Sequence, residues 1–191
     1  ISGDMLLSSL VNLGADKNKI IEGIIKSQKF LSGSTIKKMD FQKIEKQGIE
    51  STELILEIDE NVSKRKGIEI KKAISESVNE LNLTTKAKVF AELCISTLIS
   101  SESKIHGISE DSVHFHEASS IDTLVDIVGT TIALDDLRLF EEKIVCLPVS
   151  VGGGTVSFSH GTMSNPASAV LQIFKNSNLN IQGNNSKEEL T

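Results

Sequence analysis

The segment His114-Phe115-His116-Glu117 holds the densest grouping of reactive side chains in this sequence. In a β-strand, alternate side chains lie on one face, so His114 and His116 would point the same way. Two neutral imidazoles in that position can bind one metal ion, and nickel, zinc, copper and iron are all candidates. Two surface histidines beside a buried Phe115 are the alternative. His160 is a further candidate ligand, because it can reach back towards this pair.

Asp122 and Asp126 are the carboxylates that follow, and their spacing of four residues places both on one face of a helix. The positions around them are almost all apolar, so the helix is predicted to be buried on most sides. A buried carboxylate is unfavourable unless it is paired or bound to a metal. Asp122 can instead cap the helix together with Ser119. A salt bridge to a lysine or arginine is the alternative for Asp126.

Two glycine-containing segments are candidate binding sites for a phosphate group. Gly152, Gly153 and Gly154 lie between two predicted strands, where their backbone can approach phosphate oxygens closely. A hairpin turn is the alternative there, and without a helix directly after it the segment is not a Walker loop. Near the start of the chain, Gly3 allows a phosphate or metal ion to approach the first helix, and Asp4 is a candidate ligand or cap.

Hydrophobic periodicity predicts the elements that must position these residues. Helices are predicted over 4–13, 17–27, 68–81, 85–105, 120–137 and, opened by Pro166, 166–175. Strands are predicted over 36–45, 50–59, 112–117, 144–151 and 155–159. We expect Lys64-Arg65-Lys66 to be a solvated loop and residues 176–185 to be turn-like. The elements lack a βαβ rhythm, so the predicted class is α+β, with helices packed on a mostly antiparallel sheet in a single compact domain.

Composition restricts the class of protein. The chain has 191 residues, 39% of them hydrophobic and 24% charged, which is typical of a folded globular domain. Its net charge of −6 disfavours nucleic acid as a partner, and no apolar run approaches the roughly 20 residues of a membrane span. The cysteines, Cys94 and Cys146, are far apart, which predicts a reduced, cytoplasmic protein. Because the chain opens at Ile1 rather than Met, we expect a fragment.

Five motifs occur in order along the chain. They are Ile1-Ser2-Gly3-Asp4-Met5, Ile105-His106-Gly107, Val113-His114-Phe115-His116-Glu117, Asp122-x-x-Val125-Asp126-Ile127-Val128-Gly129, and Leu147-Pro148-x-x-Val151-Gly152-Gly153-Gly154 running to His160-Gly161. Together these motifs closely resemble the LarC family of nickel insertion proteins, which mature the nickel-pincer nucleotide cofactor of lactate racemase.

The resemblance implies a CTP-dependent cyclometallase of the lyase class, which inserts Ni²⁺ into pyridinium-3,5-bisthiocarboxylic acid mononucleotide. The product would hold the metal through a nickel–carbon bond and nickel–sulfur bonds. CTP, with Mg²⁺ or Mn²⁺, would bind a C-terminal domain that this chain lacks. Residues 1–191 would then be the N-terminal domain, with a helix-and-hairpin subregion at 1–66 and a motif-bearing region at 67–175.

Forming a nickel–carbon bond requires loss of a ring proton, so a base must lie near the metal. Asp126, Asp122 and Glu117 are the candidate catalytic residues, together with His116. The alternative is a non-catalytic scaffold or a module that docks the nucleotide-like precursor, and a fragment of either kind can be inactive alone. A second copy of the chain is also a candidate partner. A metal-dependent phosphohydrolase is the third interpretation.

Overall fold

The computed structural model describes residues 2–115, 121–158 and 161–183. Its helices and strands, in chain order, are α1 (Gly3–Leu13), α2 (Lys17–Ser27), β1 (Ser34–Lys46), β2 (Ile49–Glu60), β3 (Arg65–Lys66), α3 (Gly67–Glu80), α4 (Thr85–His106), β4 (His114–Phe115), α5 (Ile121–Asp136), β5 (Val149–Val151), β6 (Thr155–Phe158), β7 (Gly161–Ser164), α6 (Ser168–Lys175) and β8 (Ile181–Gly183).

Local signals account for the first helices and the hairpin that follows them. Gly14, at a φ of +122°, ends α1 in a conformation that a side chain would strain. The Asp16 carboxylate accepts hydrogen bonds from two backbone N–H groups and so caps α2. The turn at Gln47 and Gly48, both with positive φ, joins β1 to β2 in a long antiparallel pair.

Helix α5 lies at the centre of the core, because it packs against α1, α2, α3 and α4. Ten of its sixteen residues are buried, which confirms the prediction from its apolar sequence. Gly129 allows α1 to approach, since a Cβ there would lie 2.8 Å from the Leu7 Cδ2 atom. The largest fully buried side chains include Leu7, Ile20, Ile24, Ile70, Ile74, Ile95, Ile121, Leu124 and Ile132.

The structure confirms the α+β class with mostly antiparallel pairing. In the described part of the chain the strands form four pairs, and only β5–β8 is parallel. No helix within the described ranges combines the length and apolar character needed to cross a membrane.

Several local predictions differ from the structure. The strand predicted over 112–117 begins at His114, because Glu110–Ser112 form a 3₁₀ helix. The strand predicted over 144–151 is limited to Val149–Val151, because within residues 2–115, 121–158 and 161–183 only that part pairs with another strand. The tail contains β8, which is that neighbour. The last helix begins at Ser168 rather than Pro166. Gly152–Gly154 is not a hairpin turn, because β5 pairs with β8 whereas β6 pairs with β7.

Candidate functional site

Helices α1 and α5 bring three carboxylates together at one end of the core. Asp122 is exposed in the first turn of α5, and Asp126 lies one turn later, half-buried. Gly3, at the start of α1, lies directly against Asp126, since any Cβ at that position would collide with the carboxyl group. Asp4 follows Gly3 and is exposed, and both Asp4 and Asp122 lie close enough to Asp126 to repel its negative charge.

Asp126 is held in an environment that disfavours its charged form. Burial, and then repulsion by Asp122 and Asp4, raises its pKa to about 7. Among the residues that the structure describes, no lysine or arginine pairs with it, so the predicted alternative of a buried salt bridge is wrong there. A carboxyl group that changes charge near pH 7 is suited to accept or release a proton in catalysis.

A mostly buried ion pair between Glu60 and Arg65 holds the first residue of α5, although both are far from that helix in sequence. Glu60, the last residue of β2, accepts a hydrogen bond from the Ile121 backbone N–H at 3.2 Å through its Oε2 atom. Its Oε1 atom lies 2.9 Å from Nη2 of Arg65, whose side chain is only 4% exposed. The same Nη2 donates to the Ser32 carbonyl and to Ser34. Helix α5 is therefore capped by a carboxylate that is remote in sequence.

Arg65 also corrects a prediction, because a solvated loop was expected at Lys64-Arg65-Lys66. Residues Arg65 and Lys66 form β3, which pairs with Phe115 and His114 of β4. The guanidinium is buried because Glu60 and two serine oxygens satisfy its Nη2 group. The ion pair thus links β3, the neighbour of the strand that carries His114, to the helix that carries Asp126.

His114 is the candidate metal ligand that the structure describes. Its side chain is exposed, and its Nδ1 atom lies 2.8 Å from the Ser112 carbonyl oxygen. The tautomer with hydrogen on Nδ1 donates this bond and leaves Nε2 as an electron-pair donor for a metal. His116, Glu117 and His160 lie outside the described residues, so their convergence with His114 stays a prediction.

Within residues 2–115, 121–158 and 161–183, no three His, Cys, Asp or Glu side chains are arranged to hold a metal ion. The sequence indicates only part of this site. The spacing of Asp122 and Asp126 places both on one helical face, but it does not predict that Gly3 lies against Asp126.

The comparison with protein families shows the family of the chain. A family model described as nickel insertion protein matches residues 1–191. The chain belongs to the nickel insertion protein family. This result confirms the family that its motifs resemble, over its whole length.

Relatives of this nickel insertion family member are considerably longer. A pyridinium-3,5-bisthiocarboxylic acid mononucleotide nickel insertion protein of Staphylococcus saprophyticus is 35% identical over 177 residues, covering 92% of this chain and 42% of that protein. A protein of the same description from Clostridium kluyveri is 34% identical over 184 residues, covering 92% of this chain and 45% of that protein. The chain thus spans less than half the length of these curated relatives. No solved structure matches it.

The structure also describes the predicted phosphate-binding glycines of this family member and Asp4. Gly152 and Gly153 are half-buried, and Gly154, at a φ of +85°, accepts a hydrogen bond from the Asn165 backbone N–H. Phosphate binding there stays a prediction. Asp4 accepts a hydrogen bond from the Ser2 hydroxyl. Ser2 is the N-cap residue, and its side chain makes no capping bond. Asp4 is thus not the N-cap residue; its carboxylate lies in the first turn of α1, where negative charge favours a helix.

Replacing Asp126 with asparagine is expected to stabilise the fold in a pH-dependent manner. At low pH the Asp126 carboxyl is protonated in both folded and unfolded states, so the variant and the wild type differ little in stability. As pH rises from 3.8 to about 7, the unfolded state loses this proton first, and the wild type loses stability. Above that range the difference stays constant, on the order of 2 kcal/mol, because water still reaches part of the carboxyl group.

Urea unfolding of both proteins at several pH values measures this difference. The isosteric amide keeps the shape of the side chain, so the low-pH comparison is the internal control. If the difference in stability between Asp126→Asn and wild type did not change with pH, the pKa of Asp126 would be close to the usual value of an aspartate.

Proposed function

We propose that this chain takes part in inserting Ni²⁺ into pyridinium-3,5-bisthiocarboxylic acid mononucleotide, with nickel as a substrate of the reaction. The observation that carries this proposal is the match of the nickel insertion family model to residues 1–191. The descriptions of the S. saprophyticus and C. kluyveri relatives supply the identity of the precursor.

Asp126 is the proposed proton acceptor. Replacing a ring C–H bond by a carbon–nickel bond releases one proton, and the bonding electron pair stays on carbon. A carboxylate with a pKa of about 7 can take that proton at neutral pH, whereas an ordinary aspartate is a weaker base. Asp122 and Asp4 contribute by keeping the pKa of Asp126 high.

The other predicted residues receive roles as parts of this proposal. His114, with His116 and His160, would bind the incoming nickel through imidazole nitrogens. Glu117 would be a second acidic or basic group beside them. Gly152, Gly153 and Gly154 would hold the phosphate of the precursor through backbone N–H groups.

Finer assignments extend beyond the chain itself. We assign CTP, with Mg²⁺ or Mn²⁺, to polypeptide outside these 191 residues, and the reaction to the lyase class as a cyclometallation. We also place the protein in the cytoplasm, since both cysteines are free and a reducing compartment keeps them so. Lactate racemase is the proposed user of the product.

The experiment is a nickel insertion assay with the full-length protein, purified precursor, Ni²⁺, CTP and Mg²⁺. The expected product is the precursor plus one nickel, observed by mass spectrometry. Omitting Ni²⁺ or CTP is the control, and each omission is expected to abolish that mass. Absence of the nickel product in the complete mixture would contradict the proposal.

A further inference from the structure

Residues 144–151 form an apolar segment that the described fold leaves uncovered. Ile144, Val145 and Leu147 are 67%, 71% and 79% exposed, although each is a large aliphatic side chain. The run Ile144-Val145-Cys146-Leu147-Pro148-Val149-Ser150-Val151 is mostly apolar, which is typical of a strand with a covered face. Pro148 has no backbone N–H to donate, so the run suits a strand at the edge of a sheet, yet most of its large aliphatic side chains lie on the surface.

The pairing of β5 extends the same surface to a second segment. Val149 of β5 is the register partner of Ile181 of β8, in parallel orientation. Leu179 and Ile181 are themselves exposed apolar residues. A parallel pair of only two short strands is an unusual structure, because parallel sheets are normally larger and covered on both faces.

The backbone of this segment is also available for hydrogen bonding. Within the part of the chain that the structure describes, the backbone N–H groups of residues 143–147 make no hydrogen bond. A run of open backbone N–H groups beside exposed apolar side chains is a site to which another strand can add.

We propose that residues 144–151 and 179–183 form a docking surface for the additional polypeptide that full-length members of this family carry. More than half the length of the S. saprophyticus and C. kluyveri relatives lies outside the region that this chain matches. A strand of that polypeptide pairs with residues 144–148, lengthens β5 and covers Ile144, Val145 and Leu147. The proposal rests on family membership and on this surface, and is independent of the role of Asp126.

Cys146 provides a direct probe, because its exposed thiol lies within the docking surface. The experiment measures the rate at which Cys146 of the full-length protein reacts with a maleimide, read from the mass of its proteolytic peptide. We expect Cys146 in the native protein to react at least tenfold more slowly than in the urea-unfolded protein. Leu147→Asp is expected to remove most of this protection by disrupting the contact.

Two controls separate docking from general unfolding. Leu13→Asp alters another exposed leucine, on α1, and is expected to leave the Cys146 rate unchanged. Cys94 on α4, whose pKa is raised by burial, is expected to stay slow in all the folded variants. Native full-length protein whose Cys146 reacts as fast as the unfolded thiol would overturn the proposal. Protection that disappears on dilution would place a second copy of the chain there and would equally overturn it.

Discussion

Replacing Arg65 with methionine is expected to lower the free energy of unfolding by about 3 kcal/mol or more. The substitution keeps an unbranched side chain but removes the cation that faces Glu60 at 2.9 Å. Glu60 would then keep its charge in a mostly buried position, with only the Ser34 hydroxyl and the Ile121 N–H as donors. Loss of one partner from such a pair is among the largest effects that a single substitution produces.

An exposed ion pair of the same hairpin is the matched control. Lys38 and Glu57 lie 3.6 Å apart on β1 and β2, and both side chains are more than half exposed. Lys38→Met is expected to change stability by less than about 0.5 kcal/mol. Urea unfolding at neutral pH measures both variants, and a double variant of Arg65 and Glu60 to apolar residues is expected to recover part of the loss. An Arg65→Met effect no larger than that of Lys38→Met would contradict the assigned role of the pair.

Asp126→Asn in the full-length protein is expected to reduce the rate of nickel insertion by roughly 100-fold or more, the usual contribution of a positioned base. The amide fills the same space but cannot accept the ring proton. Binding of the precursor is expected to change little, because the loss concerns the chemical step. The measurement is the initial rate of the nickel product at saturating Ni²⁺ and precursor, together with precursor affinity.

Asp59→Asn is the control for this second prediction, since Asp59 is an exposed carboxylate paired with Lys37 on the hairpin. The nickel insertion rate of the Asp59→Asn variant is expected to stay within twofold of wild type. Equal rates for the Asp126 and Asp59 variants would favour the alternative in which this chain is a scaffold or a docking module for the precursor.

The sequence was sufficient to predict the elements whose signals are local. The apolar periodicity predicted a helix over 120–137 and its burial, and α5 extends from Ile121 to Asp136. The same helix made Asp126 a candidate, because a carboxylate on a buried face requires an explanation.

Contacts between distant residues escaped prediction for a physical reason. The ion pair between Arg65 and Glu60, and the cap that Glu60 gives α5, depend on how β2 and β3 approach that helix. No periodicity encodes such an approach. The contact of Gly3 with Asp126 is of the same kind, because it joins segments more than a hundred residues apart. Residues 144–148 differ again, since their sequence predicts a strand although no strand among the described residues pairs with them.

The dependence of the nickel insertion rate on pH tests the role of Asp126 most directly. For the full-length wild-type protein at saturating Ni²⁺, the rate is expected to fall tenfold per pH unit below an inflection near 7, where Asp126 takes up its proton. For Asp126→Asn, the remaining slow rate is expected to lack that inflection. An inflection near 7 that persists unchanged in the variant, at an undiminished rate, would show that another group accepts the proton.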